Sequence, residues 1–421
     1  MKLSDFGSKI SNHSGIFELM EDLGRALEKG GDVMMLGGGN PAHIPEVEAV
    51  WRRRLGEILA APGAMESMLG DYDTPRGRIE FLETLARFFN SRFDWNLTPD
   101  NIAVTTGSQT ACFLLFNLLA GTTDGARRKI LFPLVPEYIG YADQGISQEM
   151  FTAWKPEIEF LPGHRFKYHI NFSDIPDDVA ALCLSRPTNP TANVVTEGEM
   201  QRLAELAAGR GIHLIVDNAY GQPFPGVIFR PESMIWNEHI IHTFSLSKLG
   251  LPATRTGIVV ASPEIIRRIS AMNAVLVLAT SSIGQTIVRP LFETGELSGL
   301  CRDVIRPFYE ARSLQAQQWI SECFDDGLDY HVHLSEGAFF LWLWFRGLPI
   351  GDRELYERLK ARNVLVVPGS YFFSGLREPW PHTRECVRMS YCAKPDSLRR
   401  GIEIIAEEAS LAYRVGPTPT R

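Results

Sequence analysis

The chain has 421 residues, 45% hydrophobic and 22% charged, an ordinary globular balance in a chain too long for one growing core. A formal net charge of −8 and the lack of any Lys/Arg-rich run argue against nucleic acid as a partner. Six cysteines without Cys-x-x-Cys spacing, no basic-then-apolar leader, and no apolar run longer than residues 338–345 lead us to expect a reduced, cytoplasmic protein with no membrane partner.

In chain order, residues 1–45 read as an N-terminal segment that belongs with the C-terminal part. Within it, Gly37-Gly38-Gly39-Asn40-Pro41 lacks the Gly-x-Gly-x-x-Gly spacing of a dinucleotide site. Residues 46–300 are expected to form a large domain. Its short β-type runs at 102–105, 129–132, 179–184, 212–216, 239–244 and 257–261 alternate with helix-length stretches. Several of these runs are apolar on consecutive residues, as strands covered on both faces are. The alternation predicts an α/β fold with a mostly parallel sheet between helices. Ligands bind beyond the carboxyl ends of such strands, where Thr105, Asp217 and Phe244 stand. Residues 301–421 read as a smaller α+β domain, with a helix over 301–325, strands near 338–345, 364–367 and 386–391, and a closing helix over 396–412.

Three segments carry chemistry. They are Ser185-Arg186-Pro187-Thr188-Asn189-Pro190-Thr191, Asp217-Asn218-Ala219-Tyr220, and the run from Ser245 through Ser247 and Lys248 to Arg255. Each alone is ordinary: a lysine after serines sits at the surface, a strand-ending aspartate caps a turn, and Asn-Pro is a turn dipeptide. Together, in this order and each behind a strand-like run, they supply what pyridoxal 5′-phosphate demands. A lysine amine forms a Schiff base with the aldehyde, an aspartate faces the pyridine nitrogen, and hydroxyls with an arginine hold the phosphate.

The three segments resemble those of the class I/II aminotransferases, pyridoxal-phosphate enzymes of fold type I, and the likeness extends over nearly the whole chain. The resemblance implies a large domain with a mostly parallel sheet between helices plus a smaller α+β domain. It implies that Lys248 holds the cofactor and then moves a proton, that Asp217 keeps the ring nitrogen protonated, and that Asn189 and Tyr220 contact the phenolic oxygen. Gly107-Ser108-Gln109 opens a helix behind a strand, so Ser108 and Gln109 with Ser245, Ser247 and Arg255 match the phosphate contacts. Tyr138 matches the aromatic that stacks on the ring. Arg388 matches the arginine for the substrate α-carboxylate, and Gly39 and Asn189 the groups beside it. Tyr72 matches a tyrosine that reaches the phosphate of the neighbouring subunit, which implies a homodimer with a shared site.

Ala192 stands where most members have glycine, a mild departure unless φ must be positive. His331-Val332-His333 lacks the further ligands of a metal site, so no metal is expected. The wording of residues 36–41, 136–141 and 185–191 is most like members that exchange amino groups between valine or alanine and the matching 2-oxo acids by a ping-pong route. No second arginine stands out for a dicarboxylic side chain. A β-lyase, a decarboxylase or an aminotransferase for aromatic or other substrates uses the same lysine and aspartate.

Overall fold

The computed structural model describes residues 1–11, 15–29, 33–325 and 327–415. Its larger sheet has eight strands, in the order Ile102–Thr106, Thr256–Val260, Ile240–Ser245, His213–Asp217, Val179–Ser185, Ala126–Phe132 and Gly121–Thr123, with Phe151–Ala153 also paired on Ala126–Phe132. Thr256–Val260 runs antiparallel to both neighbours, and Gly121–Thr123 antiparallel to Ala126–Phe132. The remaining pairs are parallel. Consecutive apolar residues serve both faces: Ile102 and Val104 enter one core, and Ala103 between them the other. Helices Ser108–Leu119, Glu197–Gly209 and Pro263–Leu276 pack onto these strands. The second of them opens with a capping box, the Thr196 hydroxyl and the Glu199 carboxylate each satisfying the other's backbone N–H.

A second sheet has six strands, in the order Val367–Pro368, Cys386–Ser390, Phe340–Phe345, Tyr330–His333, Arg165–His169 and Glu157–Leu161. Phe340–Phe345, within the longest apolar run, is buried throughout. The hairpin Glu157–Leu161 with Arg165–His169 comes from within residues 46–300, yet it extends the C-terminal sheet by pairing parallel to Tyr330–His333. The expected alternation of runs did not include it, because charged and apolar residues are mixed along both strands. The N-terminal segment reaches the same region. Met34–Met35 pairs parallel with Val364–Leu365, and the Ser390 N–H donates to the Leu36 carbonyl at 2.6 Å. The expected helix over 301–325 is helical to Cys323, and the closing helix spans Pro395–Val415. Among the described residues no helix is long and apolar enough to cross a membrane.

Candidate active site

Asp217 ends strand His213–Asp217 and is 6% exposed. Its Oδ2 accepts from the Tyr141 hydroxyl at 2.7 Å and its Oδ1 from the Ala219 N–H at 3.0 Å. Burial pushes this carboxyl up, while those two hydrogen bonds hold it down. A buried carboxylate held by neutral donors favours a cationic partner. Lys248 lies in the single turn Ser247–Leu249, which follows strand Ile240–Ser245. Its Nζ donates to the Gly39 carbonyl at 2.6 Å and stands 5.1 Å from the centre of the Tyr220 ring. Burial pushes the amine down to about 8. The Tyr220 ring is fixed edge-on by Phe339 and Phe340 at 5.0 and 5.6 Å.

One end of this cluster is a turn between strand Ile102–Thr106 and helix Ser108–Leu119. Gly107 between them has φ +83°, and a side chain there would overlap the Arg255 guanidinium. Arg255 is exposed and brings its charge to the first turn of the helix, whose leading N–H groups lack helical partners. Ser245 is 2% exposed and its Oγ accepts from the Ser247 N–H at 3.1 Å. The Gln109 side chain donates to the Gly140 carbonyl at 3.2 Å, and its backbone N–H belongs to the first turn of the helix, where N–H groups have no helical partner.

At the other end Arg388 stands in strand Cys386–Ser390, 3% exposed. Nη1 donates to Asn189 Oδ1 at 2.7 Å, and Nη2 to the Gly37 carbonyl at 2.7 Å. Its guanidinium carbon lies 4.2 Å from the Phe340 ring centre and 5.3 Å from that of Phe372. Burial pushes the guanidinium down to about 10, so it is a cation at neutral pH. Its Nε is buried without a partner, an orphaned donor that a ligand carboxylate would satisfy. Gly39 holds Lys248 here, and it is Gly37 that meets the arginine.

Tyr138 is half-buried and edge-on to Tyr141, with ring centres 5.2 Å apart. A side chain at Gly140 would overlap the Tyr138 ring. Tyr72 stands apart from this cluster at 84% exposure. Ala192 has φ +63° in a fully buried turn, so the one condition that makes the alanine costly is met. His333 is engaged elsewhere, its Nε2 accepting from the Tyr168 N–H at 3.1 Å. Among the described residues no group of three or more His, Cys, Asp or Glu is arranged for a metal ion.

Tyr141, Glu137 and the two phenylalanines beside Arg388 were not singled out from the sequence. Residues 136–141 carried part of the resemblance, but only the stacking position Tyr138 stood out there. The residues present fit pyridoxal 5′-phosphate. A buried carboxylate, a lysine amine close to neutrality, a helix N-terminus with an arginine at its first turn and an unpartnered Arg388 donor complement its ring nitrogen, aldehyde, phosphate and substrate carboxylate respectively.

Comparison with known proteins agrees. A family model described as aminotransferase class I and II matches residues 160–405. The valine–pyruvate aminotransferase of Escherichia coli (strain K12) is 46% identical over 416 residues, 98% of this chain and 99% of that one. Aromatic-amino-acid aminotransferase 1 of Thermococcus litoralis is 25% identical over 89% of this chain and 88% of its own. The crystal structure of valine–pyruvate aminotransferase from Salmonella typhimurium LT2 superposes with a TM-score of 0.88 at 44% identity, covering 95% of this chain and 100% of that one. Aspartate aminotransferase from Thermus thermophilus, 21% identical with a TM-score of 0.76 over 97% of this chain and 100% of its own, shares the fold.

Proposed function

The chain belongs to the class I and II aminotransferase family, whose members use pyridoxal 5′-phosphate, and we propose that this one moves an amino group between valine or alanine and the matching 2-oxo acids. The observation that carries the substrate pair is the 46% identity to a valine–pyruvate aminotransferase over nearly both chains. The lyase and decarboxylase alternatives find no support among these relatives.

When bound, the cofactor supplies an aldehyde that captures the amino group and a ring that takes up the electron pair left at the substrate Cα. The chain's own residues do the rest. Asp217 holds a proton on the ring nitrogen, and the Tyr141 hydroxyl keeps Asp217 aimed and favours its anion. Lys248 anchors the cofactor and, once displaced, moves a proton between Cα and the cofactor carbon. Its amine, pushed down to about 8, is partly neutral near pH 7 and so can accept that proton. Asn189 spends its Oδ1 on Arg388 and keeps its amide N–H for the phenolic oxygen, beside the Tyr220 hydroxyl. Ser108, the Gln109 N–H, Ser245, Ser247 and Arg255 hold the phosphate. Tyr138 covers the ring. Arg388 takes the α-carboxylate, with Gly39 and Asn189 beside it, and Phe340 and Phe372 give the guanidinium an apolar setting that suits an aliphatic substrate.

The same reading includes a homodimer. Tyr72 is 84% exposed, and the Asn273 side chain donates to the Pro75 carbonyl at 2.9 Å, which draws the stretch after it toward that turn. There Val275, Leu276 and Leu278 are 86%, 54% and 58% exposed, an apolar surface suited to a second copy that would receive Tyr72. Free cysteines at all six positions suit a reducing compartment, the cytoplasm.

The test is the absorbance of the cofactor-loaded protein on adding L-valine and then pyruvate, with products identified. Loss of the cofactor band with valine, its return with pyruvate, and formation of 2-oxoisovalerate and alanine are expected. A band that valine does not move overturns the substrate pair.

A further inference from the structure

Glu137 has no part in the chemistry above, yet its carboxyl is the hub of the turn that carries Asn189. It follows strand Ala126–Phe132, between Pro136 and Tyr138, and is 2% exposed. Oε1 accepts from the Ser185 N–H at 2.7 Å. Oε2 lies 2.6 Å from Ser185 Oγ and accepts from the Tyr138 N–H at 3.2 Å. Ser185 Oγ accepts the Asn189 N–H at 3.2 Å, and Asn189 Oδ1 receives Arg388 Nη1 at 2.7 Å. A second route leaves from the backbone. The Glu137 N–H donates to the Phe372 carbonyl at 2.8 Å, and the Phe372 ring lies 5.3 Å from the Arg388 guanidinium. An apolar side chain at 137 would leave the Ser185 and Tyr138 N–H groups unpaired in a buried place.

We infer that Glu137 is a positioning residue for the substrate carboxylate, setting Arg388 through Ser185 and Asn189. This rests on the transaminase reading and on Arg388 as the partner of that carboxylate. Burial, reinforced by the like charge of Asp217, pushes the Glu137 carboxyl up to about 8, so near neutrality it carries a proton. In the neutral acid Oε1 still accepts from the Ser185 N–H, and Oε2 still faces the Ser185 hydroxyl, which donates to it, and the Tyr138 N–H. A glutamine side chain keeps the acceptor for the Ser185 N–H and a polar group facing Ser185 Oγ, and gives up only the 3.2 Å acceptor for the Tyr138 N–H, whereas alanine keeps none of these.

The experiment compares Glu137→Gln, Glu137→Ala and Ser185→Ala with the wild type as cofactor-loaded proteins. It measures KM and kcat for L-valine, the Kd of unreactive isovalerate by calorimetry, and the melting temperature. Glu137→Gln is expected within about threefold of wild type in KM and Kd. Glu137→Ala and Ser185→Ala are expected to raise both by about tenfold, with kcat changed less. Unchanged KM and isovalerate Kd in both, even with a lowered melting temperature, would overturn the inference by reducing Glu137 to a structural role. Should Glu137→Ala not fold, Ser185→Ala decides alone, since it removes only one oxygen. A wild type without transaminase activity would instead remove the premise, and so the two failures are distinguishable.

Discussion

At the end of the site proposed for the phosphate, Ser108, Ser245, Ser247 and Arg255 lie at or beside the ends of three adjacent strands of one sheet, and Arg255 is exposed. At the carboxylate end, Arg388 of the second sheet is 3% exposed and meets Asn189 across 199 residues of sequence and Gly37 across 351. The first end is built within one sheet, where Gly107 and Arg255 meet. Its anion affinity comes from helix N–H groups and from charge that solvent partly screens, so no one side chain dominates. The second joins the second sheet to the turn carrying Asn189 and to the N-terminal segment and is dry, so each of its hydrogen bonds counts for more and each lost partner leaves a buried group unpaired.

That contrast sets the order of expected effects. Lys248→Ala removes the shared centre between the two ends and should lower kcat about a thousandfold or more in steady-state transamination. A rate near wild type would remove the lysine from the chemistry. Arg388→Lys gives up the planar fork at the dry end and should raise KM for every amino acid tested by about ten- to a hundredfold. Tyr141→Phe deletes one charge-assisted hydrogen bond to Asp217 and should cost about tenfold in kcat with little change in KM. At the exposed end, Arg255→Lys should weaken cofactor binding by less than about tenfold, measured by fluorescence titration of the cofactor-free protein. A penalty there larger than that of Arg388→Lys would reverse the comparison. The mildest effect is that of pH. Capture of pyridoxal 5′-phosphate by Lys248 needs the neutral amine. With its pKa lowered to about 8, the neutral fraction rises as pH rises, so the capture rate should grow about fivefold from pH 7 to 8 and level off above 9. A rate still climbing tenfold per unit above pH 9 would return the lysine to its ordinary value.

The parts of the site legible in the sequence are those where a reactive residue directly follows an apolar run. Asp217 closes His213–Asp217, Lys248 stands just beyond Ile240–Ser245, and Asn189 follows Val179–Ser185. In a parallel sheet such positions share one edge, so chain order alone gathers them. Tyr141 and Glu137 were not legible because their partners lie 76 and 48 residues away, and neither spacing nor composition records which strands become neighbours. The hairpin Glu157–Leu161 with Arg165–His169 escaped for a related reason. Its pattern is mixed, and what fixes it is the edge of Tyr330–His333, a strand more than 160 residues later.

By itself the sequence determined the cofactor chemistry, the family and the mostly parallel sheet, because short contiguous motifs and runs of consecutive apolar residues encode local conformation and burial. Only the tertiary structure decided which carbonyls meet Lys248 and Arg388, that Ala192 is held at φ +63°, and that Arg388 keeps a buried Nε in reserve. Those depend on two sheets and an N-terminal segment packing at one place, and that register is set by contacts between residues far apart in the chain.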